Sequence, residues 1–202
     1  MLILCSNGLT VEALVEQVRR EIVGCKTAAL VVTADCEYKE KDYHVPRCVA
    51  ALEALGMAVD LFDLDRQEAE LLLRYDVVEF IGGNPFYLMH SIRENNAAEV
   101  IKTLAATKIL IGWSAAAFVF GPTLELVNRY SPEMSFMGLT DLNGLALTEL
   151  QVLPHYSRYL PRFEGFEETC SRYEKEYRVK VIRLDDGDGV LINGAVRICK
   201  AR

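Results

Sequence analysis

Between Lys108 and Pro122 the chain reads Ile-Leu-Ile-Gly-Trp-Ser-Ala-Ala-Ala-Phe-Val-Phe-Gly. An uncharged, β-branched run broken by Gly112 and followed by three alanines predicts a buried strand, a sharp turn and a helix start. This unit sets one hydroxyl, Ser114, at the carboxyl end of a strand and the positive end of a helix. That is the geometry of a nucleophile elbow. The elbow pattern G-x-S-x-G is met at Gly112 and Ser114, with Ala116 in place of the second glycine. Small residues at such a turn also let a helix pack closely on a sheet, so the chemistry has to be argued from other residues. The uncharged run ends near Leu124, short of the roughly 20 residues a membrane span needs.

The rest of the chain repeats the alternation. Apolar segments at Leu2–Cys5, Ala28–Thr33, Met57–Phe62 and Val77–Ile81 read as strands. Helical patterns run from a Thr10 cap to Gly24, and from Pro46 to Leu55 with Gly56 as stop. A short amphipathic helix is predicted over Asp63–Arg74. Another helix starts with Asn84 as cap and Pro85 at its first position, breaks around Asn95-Asn96 and ends near Thr107. Residues 125–132 and 134–147 read as irregular or partly extended. A strand at Leu150–Leu153, a helix at Phe163–Tyr177 and a meander through Val179–Leu184, Val190–Ile192 and Ala195–Lys200 complete the chain, with a hairpin at Asn193-Gly194. Strands alternating with helices predict the α/β class: one domain over residues 1–202, built in three layers, with a mostly parallel sheet and helices on both faces. Ligands of such sheets sit at the carboxyl ends of the strands. Gly82-Gly83-Asn84 and Ser114 both follow strands, so both belong on that edge.

Composition removes several function classes. The 202 residues are 51% hydrophobic and carry a net charge of -7 without a Lys/Arg cluster, which argues against a nucleic-acid partner. The N-terminus has no basic leader and no segment reads as a membrane span, so the expected location is the cytoplasm. Six scattered cysteines without a C-x-x-C pair suit reduced thiols better than disulfides or a zinc site. The Asp185–Gly189 turn lacks the spacing of a calcium loop, and no metal or cofactor is expected.

Serine-based acyl transfer needs a base, a group that orients it, and donors for an oxyanion. The chain has three histidines. His44 in a polar loop and His90 within a helix read as ordinary surface or packing residues. His155 follows a strand and Pro154, on the same edge as Ser114, and is the candidate base. Asp185, Asp186 and Asp188 end a strand and are candidate acids. Backbone N–H groups of Gly83 and Ala115 are candidate oxyanion donors, and Asn84 and Arg158 are candidate substrate contacts. A nucleotide-binding reading lacks any glycine-rich phosphate motif. An α/β-hydrolase esterase would place its acid before the histidine.

Ile81-Gly-Gly-Asn84, Ile111-Gly-Trp-Ser-Ala115, Pro122-Thr123 and Leu153-Pro-His155 resemble the peptidase E (aspartyl dipeptidase) family, which is related to the cyanophycinases. The resemblance implies a class I glutamine-amidotransferase-like (flavodoxin-like) fold and a serine peptidase acting on small peptides. It also implies Ser114 as nucleophile, His155 as base, and the Gly83 and Ala115 amides as oxyanion hole. The family's Leu-Pro-Glu-Gly segment corresponds to Leu184-Asp-Asp-Gly187, which puts Asp186 on the acid. Three positions depart from the family pattern. Ala116 replaces a glycine and would strain the turn if that position required positive φ. Arg129 replaces an aspartate that follows Thr-Asn, and Glu125 replaces an arginine. These last two changes reverse charge near the expected site and weaken an aspartyl preference, since a carboxylate side chain wants a cationic pocket. Ala116 and Arg129 also motivate a non-catalytic alternative, a family member that binds a small peptide or metabolite there. A second copy of the chain, as a homodimer, is the other candidate partner.

Overall fold

The computed structural model of the chain describes residues 1–201. Among them, Leu2–Cys5 (β1), Thr27–Val31 (β2), Ala58–Phe62 (β3), Val77–Phe80 (β4) and Ile109–Trp113 (β5) run parallel in the order β3-β2-β4-β5-β1. Gln151–Leu153 (β6) and Val181–Arg183 (β7) form a separate parallel pair. Gly189–Asn193 (β8) and Ala195–Cys199 (β9) extend the large sheet antiparallel beyond β1.

The β-strand period of two divides each strand between two cores. One face of the sheet presents Leu2, Leu4, Ala29, Val31, Val78, Phe80 and Leu110 to Pro85–Glu94 (α3), Ala98–Thr107 (α4), Ala115–Phe120 (α5), Glu125–Tyr130 (α6) and Phe166–Tyr177. The other presents Ile3, Cys5, Ala28, Leu30, Val77, Ile111 and Trp113 to Glu12–Glu21 and Val45–Ala54. Numbered in chain order, Glu12–Glu21 is α1, Val45–Ala54 is α2, the short helix Tyr156–Tyr159 is α7 and Phe166–Tyr177 is α8. The architecture is therefore the expected α/β one, a mostly parallel sheet with helices on both faces.

Several local expectations are corrected. Thr10 does not cap α1; its hydroxyl donates to Asn7 Oδ1 and the cap position is Val11, without a side-chain bond. Asp63–Arg74 is not one helix. The Asp63 carboxylate is drawn to Lys39 and Thr33, the Gln67 amide oxygen accepts from the Asp63 N–H, and only Ala69–Arg74 winds, as a 3-10 turn. Residues 125–130 form helix α6, with Leu126 and Val127 buried. The tail is not a meander: β7 leaves the large sheet to pair with β6, and residues 184–188 carry the chain back.

Among the described residues no helix is long and apolar enough to cross a membrane.

Candidate active site

β5 lies between β4 and β1, so the turn after β5 has the turns after β4 and β1 as its flanks. At the end of β5, Ser114 takes φ 53° and ψ −111°. A side-chain-bearing residue pays roughly 1–3 kcal/mol for such a conformation, and the surrounding packing has to enforce it. The packing is visible. A Cβ on Gly112 would lie 2.5 Å from the Phe120 ring, and one on Gly82 would lie 2.5 Å from Trp113 and 3.0 Å from Ser114 Cβ. Gly83 has φ +143°, and a Cβ there would sit 2.3 Å from the Ala34 carbonyl oxygen. That position admits only glycine.

Opposite Ser114 stands His155, also at positive φ (58°), the residue at which β6 turns into α7. Its side chain is nearly enclosed, and Nε2 lies 3.0 Å from Ser114 Oγ. Its Nδ1 lies 2.6 Å from Asp186 Oδ1. Asp186 also accepts from Ser6 Oγ at 3.0 Å and from Arg158 Nη1 at 3.2 Å. Ser6 in turn accepts from the His155 backbone N–H at 2.9 Å, so one buried hydroxyl ties both the acid and the histidine to the end of β1.

The electrostatics favour a neutral imidazole. Burial lowers the His155 pKa below its ordinary 6.5, with the Asp186 carboxylate pulling the other way. Burial alone would raise Asp186, but hydrogen bonds from His155, Ser6 and Arg158 outweigh it and hold the carboxyl below its usual range. An ionised Asp186 accepting from Nδ1–H leaves the Nε2 lone pair free to accept from the Ser114 hydroxyl. The three aspartates are thereby distinguished. Asp185 accepts from the Ser157 N–H at the start of α7, and buried Asp188 pairs with Lys200.

The Ala115 N–H belongs to the first turn of α5, where a helix supplies no carbonyl partner, and the Gly83 N–H meets no acceptor among the described residues. Both lie at Ser114, in the wall of the same cleft. Arg158 borders the neighbouring recess on the His155 side of Ser114, exposed beside Asp186.

Other expectations change. Asn84 is committed to the scaffold: its Oδ1 accepts from the Phe86 and Tyr87 amides, capping α3, and its Nδ2 donates to the Met134 carbonyl. Ala116 is an ordinary helical residue, fully buried and not at positive φ, so the missing glycine strains nothing. Arg129 points away from Ser114, pairing with Glu176 at 2.9 Å and lying over the Tyr173 and Tyr177 rings. His44, expected to be an ordinary surface or packing residue, does pack on Trp113, with ring centroids 5.3 Å apart, and in addition lines the cleft with Asp42 and Arg47. Ser6, in the Ser6-Asn7-Gly8 turn after β1, carries no distinguishing local pattern either. The only sequence signal for these residues is that both follow a parallel strand's carboxyl end.

Residues 2–198 match the model of peptidase family S51. The chain is 26% identical over 182 residues to an uncharacterized peptidase of Listeria monocytogenes, covering 87% of this chain and 86% of that one. It is 26% identical over 204 residues to peptidase E of Citrobacter koseri, covering 96% and 86%. Its fold superposes with a TM-score of 0.80 on the crystal structure of a "putative peptidase E protein" from Listeria monocytogenes, at 24% identity, covering 98% of this chain and 97% of that one. A peptidase from an acI-B1 actinobacterium gives a TM-score of 0.62 at 18% identity, covering 100% and 91%. The chain belongs to peptidase family S51.

Proposed function

We propose that this protein is a serine-type peptidase of small peptides, with Ser114 as nucleophile, His155 as general base and Asp186 as the acid that orients it. The observation that carries the reading is the continuous line Ser114 Oγ–His155 Nε2 at 3.0 Å and His155 Nδ1–Asp186 Oδ1 at 2.6 Å. In the proposed reaction Ser114 Oγ attacks the peptide carbonyl carbon while its proton passes to His155 Nε2. The carbonyl π bond opens, and the oxyanion is held by the Gly83 and Ala115 amides. The imidazolium, stabilised by Asp186, then gives its proton to the departing amine as the C–N bond breaks. His155 then takes a proton from water as the water oxygen attacks the acyl-serine carbonyl carbon; when the carbon–Oγ ester bond breaks, the imidazolium returns that proton to Ser114 Oγ and the acid is released. No step calls on a cofactor.

Arg158 and Arg47 are placed to receive a short peptide's carboxylate on the His155 side of the cleft. The ordinary helical geometry of Ala116 and the pairing of Arg129 with Glu176 support the catalytic reading over a non-catalytic binder. The test is turnover of a dipeptide library by wild type and Ser114→Ala, read by mass spectrometry. Hydrolysis lost in Ser114→Ala is expected; hydrolysis retained in the variant overturns the assignment.

A further inference from the structure

Two lobes of the cleft meet at Ser114. His155 borders one, together with His44, Trp113, Arg47 and Arg158. The other is bordered by Gly83 and Ala115 and walled by Phe118, Val127, Tyr130, Met134, Tyr159 and Phe163, and His155 is not part of it. This division assigns the two sides of a scissile bond. The imidazolium has to hand its proton to the leaving amine, so the leaving residue occupies the lobe with His155. The residue that becomes acylated then projects its side chain into the other.

We propose that this second lobe takes an uncharged apolar side chain, of the size of Leu, Met or Phe, on the acyl side of the scissile bond. The proposal rests on Ser114 being the nucleophile. Size supports it: the lobe encloses about 130 Å³, and an apolar cavity of about 150 Å³ accommodates a benzene ring. The wall is also preorganised. Tyr130 packs on Tyr159, Phe163 and Phe166 with ring centroids 5.0–5.7 Å apart, and the Asn84 side chain pins the Met134 backbone.

Charge points the same way. Helix α6 gives Val127 and Tyr130 to the lobe, while its Arg129 is spent on Glu176 outside it. The lobe's cation is Arg162, at the solvent-exposed rim and stacked on Phe163 at 5.2 Å. An ion pair formed there in water contributes little. A carboxylate pushed further in would lose water against the aromatic and aliphatic side chains, and the Ser131 hydroxyl that also lines the lobe already donates to Glu133. An acidic residue of Leu's size is therefore rejected, and a small one leaves the lobe underfilled.

The test uses aminoalkylboronic acids, which form a tetrahedral adduct with an active serine and need no leaving group. Analogues carrying the Ala, Leu, Phe or Asp side chain compete with a fluorophosphonate for Ser114 in the full-length protein. With roughly tenfold or more per methylene in a fitted apolar pocket, the Leu and Phe analogues should protect at concentrations about 100-fold below the Ala analogue. The Asp analogue should be weaker than the Leu analogue by a similar factor. In Val127→Phe, which fills the lobe, the preference for Leu over Ala should fall at least tenfold. Because that is a ratio within one protein, loss of folded material does not mimic it. Protection by the Asp analogue equal to or better than Leu, or protection indifferent to side chain, overturns the pocket assignment while the nucleophile stands. Failure of the fluorophosphonate to modify Ser114 overturns the nucleophile and this proposal together.

Discussion

Replacing Asp186 by Asn keeps the shape of the acid and removes its charge. In the folded protein that carboxylate faces the imidazole at 2.6 Å and is braced by Ser6 and Arg158. In the proposed mechanism it acts when the imidazole becomes a cation. Two unit charges about 4 Å apart attract by about 4 kcal/mol at an effective dielectric of about 20. At about 1.4 kcal/mol per decade, losing that attraction in the transition state lowers kcat by roughly a thousandfold. KM should change little, because the lost interaction strengthens only as charge develops. The pH profile gives a second, signed readout. The base must be neutral, so the acidic limb follows the His155 pKa, which burial sets below 6.5 and Asp186 partly restores. In Asp186→Asn the restoring charge is gone, and the acidic limb of the residual activity moves to lower pH. Initial rates from pH 5 to 9, with a thermal midpoint to verify folding, measure both. A folded variant that loses less than tenfold in kcat, or whose limb moves to higher pH, refutes the reasoning.

Three further outcomes follow from the packing. Gly83→Ala forces a Cβ to within 2.3 Å of the Ala34 carbonyl oxygen at φ +143°. Displacing that amide should cost about a hundredfold or more in kcat with a lowered melting temperature. Ala116→Gly should bring no gain in rate and cost about 1 kcal/mol, a few degrees in a thermal melt, because the position is helical. Glu79 lies fully buried in β4 with Oε2 unpartnered, and burial, opposed by Trp113 and Arg47, raises its carboxyl to about 7. An acid raised in the native state costs stability as pH climbs from the unfolded value near 4.5 through the folded one. Glu79→Gln should therefore melt higher than wild type at pH 8, by as much as about 3 kcal/mol in stability, and the advantage should vanish near pH 4.

Local pattern alone specifies the strand–turn–helix unit at Ser114, the Asn84 cap with Pro85 behind it, and the break between α3 and α4. Each is written in neighbouring residues. The pieces that escaped are of two kinds. Helices α6 and α7 are shorter than two turns, too short for periodicity to register, and are held by tertiary contacts through residues such as Val127 and the Asp185 carboxylate. Ser6 and His44 acquire their roles through packing across the fold; Ser6 meets His155 across 149 positions of chain, which no local reading detects. The choice of Asp186 over its neighbours has the same origin. Asp185, Asp186 and Asp188 are chemically alike in sequence, and only the turn between β7 and β8 aims one of them at His155.

The central claim is that Ser114 is an activated nucleophile, and the most direct measurement is the site and stoichiometry of modification by a fluorophosphonate. Peptide mapping by mass spectrometry should find one adduct per chain, on Ser114. Labelling should be absent from Ser114→Ala and strongly slowed in His155→Ala at neutral pH. Equal labelling of wild type and Ser114→Ala, or an adduct on another residue, contradicts the account.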